Sequence, residues 1–86
     1  MDADFKHKLG AAIKERRRIC GLSKQKLALM IGINRLTLRR IEEGIGNPTL
    51  DVLLKICDGL DTSLASLTAR AEGREPDYIY SHEELK

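Results

Sequence analysis

Residues 32 to 44 read GINRLTLRRIEEG and put three arginines inside a stretch of about nine residues with helical spacing. At 100° per residue, Leu38 and Ile41 fall on one flank with Thr37 at its margin, and Arg35, Leu36, Arg39 and Arg40 fall on the other. A guanidinium offers a rigid fork of donors that matches phosphate or carboxylate oxygens. This outward face is therefore either a solvated surface or one built to meet an anion.

A second basic feature lies just upstream, in SKQKLALMIG. Ser23 is placed to cap a helix, which puts Lys24 and Lys26 in its first turn, where the helix dipole disfavours cations by about 0.3–1 kcal/mol each. A phosphate held at that terminus would offset the cost, because backbone N–H groups and lysines both favour an anion there. The plainer alternative is a pair of solvated lysines.

The charge of the whole chain follows the same polarity. Residues 1 to 40 hold eleven Lys or Arg against three acids, whereas residues 41 to 86 hold four against ten, leaving a net of +2. A basic half directed at a polyanion, with an acidic remainder that limits indiscriminate binding, accounts for this better than an unpartnered dipolar surface.

The elements that must position these residues are helical. Eighty-six residues suffice for one small domain, and 42% apolar content with only 3% aromatics implies a core of Leu, Ile, Ala and Val. In FKHKLGAAIKERRRIC, the residues Phe5, Leu9, Ala12, Ile13 and Cys20 line one side, with Asp4 as the expected N-cap and Gly21 as the stop. Lys24 to Ile31 forms the second helix, with Leu27, Ala28 and Ile31 inward and Gly32 at its end. Asn34 caps a third helix over about 35 to 43, closed by Gly44. Thr49 caps a fourth, whose stripe is Leu50, Leu53, Leu54, Cys57 and Leu60. Ser63 caps a short fifth carrying Leu64 and Leu67. No strand-like alternation of useful length precedes residue 77.

Only Gly32, Ile33 and Asn34 separate the second and third helices, which suits a sharp corner of roughly 90–120°. Ala28 is small where the two must approach. The combination specifies a helix-turn-helix.

In RRRICGLSKQKLA, IGINRLTLRRIEEG and NPTLDVLLKICDGLDTSL, in this order and spacing, the chain resembles the phage-repressor and Cro-like (xenobiotic-response-element type) helix-turn-helix family over about residues 6 to 68. The resemblance implies an all-α, five-helix, lambda-repressor-like domain over residues 1–70, followed by a tail or arm over 71–86. It also implies a sequence-specific, homodimeric regulator of transcription acting on double-stranded DNA, with the third helix in the major groove. Carried over by position, Arg35, Leu36, Arg39 and Arg40 would meet base edges. Ser23, Lys24, Gln25, Lys26, Asn34 and Thr37 would lie along the DNA backbone. Arg17 and Glu42 stand where the family has a structural ion pair between the first and third helices. Leu64 and Leu67 are the expected dimer seam.

Leu29, Met30 and Ile45 are apolar where such domains usually carry polar residues, and Leu36 often has a small polar counterpart. They read either as scattered surface hydrophobes or as part of a protein-protein surface, and the second reading supports the alternative function, a protein-binding module of antitoxin-like or adaptor type. No cofactor or metal is expected, since Cys20 and Cys57 lie far apart without a second Cys or His at ligand spacing and read as reduced thiols. No nucleophile arrangement or Gly-rich phosphate loop suggests an enzyme. The absence of an apolar leader or of a run near 18–20 apolar residues gives the expectation of a cytoplasmic protein without membrane association. The tail AEGREPDYIYSHEELK, with Tyr78 and Tyr80 around Ile79, is open to two readings, a loose extension or an arm that packs on the domain or a second subunit.

Overall fold

The computed structural model describes residues 3–73. Five helices follow in chain order: α1 Ala3–Ile19, α2 Lys24–Ile31, α3 Arg35–Glu42, α4 Leu50–Gly59 and α5 Leu64–Ala71, with no strand among the described residues. Four of them begin with a side-chain cap. Ser23 accepts from the Lys26 N–H, Asn34 from Leu36, Thr49 from Val52 and Ser63 from Ser66. Each satisfies a donor that the first helical turn leaves without a partner.

α1 packs on α5 and α3, α2 on α3 and α4, and α4 on α5. The shared core holds Leu9, Ile13, Leu27, Leu38, Ile56 and Leu60, each 2% exposed or less, with Ala12, Ala28, Ile41, Leu53, Cys57, Leu67 and Ala71 around them. Burial pushes the Cys57 thiol up from its ordinary range.

The turn between α2 and α3 is held by Gly32, whose φ of 73° lies in the left-handed region that a side chain resists. Ile33 sits half-buried against the core and donates its N–H to the Ala28 carbonyl. Gly10 serves a different purpose. A Cβ there would lie 2.5 Å from the carbonyl oxygens of both Ile41 and Glu42, so its hydrogen is what lets α1 touch the backbone at the end of α3.

Several sequence expectations need correction. Asp4 lies inside the first turn of α1 rather than at its cap, and pairs with Lys8 at 3.2 Å. Cys20 is exposed just past the end of α1, its thiol donating to the Leu60 carbonyl at 3.5 Å, because the helix stops before the residue can turn inward. In α4 the buried stripe is Leu53, Ile56, Cys57 and Leu60, whereas Leu50 and Leu54 are exposed. With apolar residues at six of the eight positions from 50 to 57, two overlapping stripes fit this helix, and α2 and α5 select one of them. α3 ends at Glu42, with Glu43 as its C-cap, one residue earlier than expected, and Gly44 at φ 76° follows. α5 runs through Ala71, so the first residue of the expected tail belongs to the last helix. The remaining expectations for the tail, including Tyr78, Ile79 and Tyr80, lie outside the described residues.

α1 and α5 are also joined at the surface, where Arg70 forks onto Glu15 at 2.8 and 2.9 Å. The Arg70 hydrogen bond, with its charge, holds the Glu15 carboxyl below its ordinary value of 4.5 against a smaller opposing effect of desolvation. A carboxyl depressed by folding adds stability above its unfolded pKa and loses it as pH falls through the lower, folded value. Both side chains are about half exposed, so the contribution stays below about 1 kcal/mol. Glu15→Gln is expected to remove this small acid-sensitive part of stability below about pH 4.5, read as a flatter dependence of the denaturant midpoint on pH.

Candidate nucleic-acid interface

α3 is presented by the corner at Gly32 and by its buried flank, Leu38 and Ile41. Its other flank is open. Arg35, Leu36, Arg39 and Arg40 are all exposed, and Arg35 and Arg40 form no hydrogen bond or ion pair with any described residue. Arg39 donates its Nε–H to Glu43 Oε2 at 3.2 Å along the helix surface.

The N-terminus of α2 comes to the same place. An open cleft of about 680 Å³ is lined by Ser23, Lys24 and Gln25 from α2 and its cap, by Arg35, Leu36, Arg39 and Glu43 around α3, and by Arg17 from α1. Two groups separated in sequence by the turn thus share one basic concavity. The cap hydrogen bond at Ser23 uses only the oxygen, so its O–H remains able to donate. The bond at Asn34 likewise engages Oδ1 and leaves the amide NH2 available. Lys26 and Asn34 are exposed but line no part of this cleft.

Thr37 and Arg40 stand at the far edge of the open flank of α3. They border a second cleft of about 390 Å³ together with Asn47, Pro48 and Thr49. Sequence reasoning gave Thr49 only the role of cap and Asn47 no role at the interface. Their closeness to Arg40 could have been inferred from the short connection between α3 and α4.

Behind the cleft, Arg17 and Glu42 form a buried fork, Nε to Oε2 at 2.7 Å and Nη2 to Oε1 at 3.0 Å, with side chains 8% and 2% exposed. Arg17 Nη1 also donates to the Leu22 carbonyl at 2.7 Å. Every buried side-chain polar atom among the described residues has a partner. Arg16, next in sequence, turns away from the cleft and donates to the carbonyls of Leu60 and Asp61 at 2.9 and 3.0 Å, closing the C-terminal end of α4.

Leu64 and Leu67 are not together at the surface. Leu67 is 3% exposed and belongs to the core, so its side chain is already committed within the domain, while Leu64 is half-buried at its edge. α5 packs on α1 and α4, which turns Leu67 into the core, and periodicity alone did not distinguish core from seam.

The helix-turn-helix family pattern matches residues 13–67, well over half of the chain. The chain belongs to the helix-turn-helix family. It is 40% identical over 55 residues to a protein of Methanocaldococcus jannaschii named as an HTH-type transcriptional regulatory protein, a match that covers 64% of this chain. The matched part spans only 17% of that relative's length. Among solved structures it is similar to the clp gene regulator ClgR from C. glutamicum, with a TM-score of 0.78, 26% identity, and coverage of 80% of this chain and 88% of that one. A mutant of the restriction-modification controller protein C.Esp1396I shares the fold, with a TM-score of 0.75 and 24% identity over 95% of this chain and 99% of that one. This helix-turn-helix domain has no helix among its described residues long and apolar enough to cross a membrane.

Proposed function

We propose that this helix-turn-helix chain is a sequence-specific DNA-binding regulator of transcription that lays α3 in the major groove. The observation that carries the reading is the convergence of exposed Arg35, Leu36 and Arg39 with Ser23, Lys24 and Gln25 around one open cleft, with Arg40 beside it on the same helix. Guanidinium forks reach guanine O6 and N7, Leu36 suits a thymine methyl, and the N-terminus of α2 takes a phosphate. Lys26, Asn34 and Thr37 add backbone contacts, and Asn47 and Thr49 extend them beyond Arg40.

Two copies would set α3 into successive major grooves about 34–36 Å apart. Leu64 is what α5 offers to such a homodimer. Selection of duplexes from a random library, followed by titration at several salt concentrations, tests the whole reading. Binding with a logarithmic salt slope of about 0.9 per neutralised phosphate and a two-fold repeated site is expected. Binding that ignores salt, or no binding to any duplex, would overturn it.

Within this reading the two groups of residues separate experimentally. Arg40→Ala should lose about tenfold of discrimination at one base pair, whereas Lys24→Ala should weaken all duplexes alike and lower the salt slope by about 0.9. Titration of the selected duplex and its single-pair variants reads both.

A second reading rests on the exposure of Leu29, Met30, Leu36 and Ile45, which are 74%, 53%, 56% and 56% accessible. Apolar side chains this open beside a basic cleft suit a protein partner. Retention of a partner from nuclease-treated lysate by the unaltered chain, and its loss on Leu29→Ser, favours that reading.

A further inference from the structure

Glu43 is difficult to account for by the stability of α3 alone. It is the C-cap of the helix, where the dipole disfavours a carboxylate, and it stands four residues after Arg39, the weaker of the two orders for an ion pair along a helix. It also lines the basic cleft, where a negative charge repels any polyphosphate. Its side chain has Arg39 as its only hydrogen-bonding partner among the described residues, and both side chains stay open to solvent at 46% and 61%.

The geometry of that single bond is informative. Glu43 Oε2 engages Arg39 at Nε, leaving both Nη groups of the guanidinium with no partner among the described residues. A free arginine on a long stem swings readily to the nearest phosphate, a contact that carries no sequence information. An arginine held at Nε instead presents its two Nη groups as a fixed pair of donors, the arrangement that matches guanine O6 and N7.

We propose that Glu43 is a specificity-determining positioning residue: it orients Arg39 toward a base edge and disfavours the diversion of that guanidinium to phosphate. The proposal rests on the DNA-binding reading above. Affinity for arbitrary duplex is lowered by the acid, and discrimination at one base pair is raised. Arg35 and Arg40, which have no such brace, are freer to serve base or phosphate.

The test uses the full chain on its selected duplex, on single-pair variants and on an unrelated duplex, comparing Glu43→Gln, Arg39→Ala and the double variant. Glu43→Gln should tighten binding to the unrelated duplex about two- to fivefold. It should reduce discrimination at one base pair about five- to tenfold and steepen the salt slope by about 0.9 as Arg39 moves to a phosphate. In the Arg39→Ala background the same change should leave discrimination unaltered. If the unaltered chain reads sequence but Glu43→Gln changes discrimination at no position, or changes it equally without Arg39, the positioning role is wrong while DNA binding stands. If the unaltered chain selects no duplex, both fall together.

Discussion

Arg17→Ala should cost about 3–5 kcal/mol of folding stability, because it leaves the buried Glu42 carboxylate, 2% exposed, without its two hydrogen bonds. For a chain of this size each kcal/mol moves the melting temperature about 4–8 °C, so the variant should melt more than about 12 °C lower. Glu42→Ala should be milder. The Arg17 guanidinium keeps the Leu22 carbonyl and borders the open cleft, so it can rotate toward solvent once its partner is gone. Replacing both residues by apolar ones of similar volume, Arg17→Met with Glu42→Leu, should recover most of the loss, since the desolvation of two charges is removed with the attraction between them. Thermal and denaturant unfolding of the four proteins would check this order. Equal losses from the two single alanine variants would show that burial of the carboxylate is not what sets the cost.

Gly10→Ala should also destabilise the fold, by less than Arg17→Ala, although alanine is the better helix former by about 1 kcal/mol. The added Cβ would sit 2.5 Å from two backbone carbonyl oxygens, those of Ile41 and Glu42. Backbone cannot rotate out of the way as a side chain can. Overpacking costs about 1–3 kcal/mol and occasionally more, and this contact belongs at the upper end, leaving a net loss of about 2 kcal/mol. Relief can come only by moving α1 away from α3, which also stretches the Arg17–Glu42 fork. The variant should therefore lose cooperativity between these two helices, read as faster hydrogen exchange at Leu38 and Ile41. A Gly10→Ala protein as stable as the parent would show that the two helices separate at little cost.

Much of the fold was legible because local signals agreed. Caps at Ser23, Asn34, Thr49 and Ser63 stand ahead of apolar stripes, and each forms its hydrogen bond. What could not be read was the choice among equivalent stripes. α4 is apolar around most of its circumference, and only its neighbours decide that Ile56 is buried and Leu54 is not. Leu67 was lost to the core for the same reason. The run Arg16, Arg17, Arg18 illustrates the limit for charge. At 100° per residue the three point apart, so one closes α4, one enters the buried fork and one remains exposed. Two of the cations that made the first half of the sequence look basic are therefore used internally, which net charge does not reveal. Gly10 left a clue, since an isolated glycine in a helical pattern usually has a packing reason. Its partner could not be named without the crossing of α1 over α3. On the candidate interface, helical spacing was enough to separate Leu38 and Ile41 from the arginines, but the inclusion of Glu43 in the cleft depends on where α2 ends up.

The fork at Glu42 and the hydrogen of Gly10 anchor the same end of α3, its C-terminal turn, to α1, the longest helix among the described residues. The pitch of α3 is thereby fixed before any ligand arrives. If α3 enters the major groove as proposed, adjustment to duplexes of unequal groove width must come from the arginine stems and from bending of the nucleic acid, so sites that resist bending should be discriminated against even where every base edge is correct.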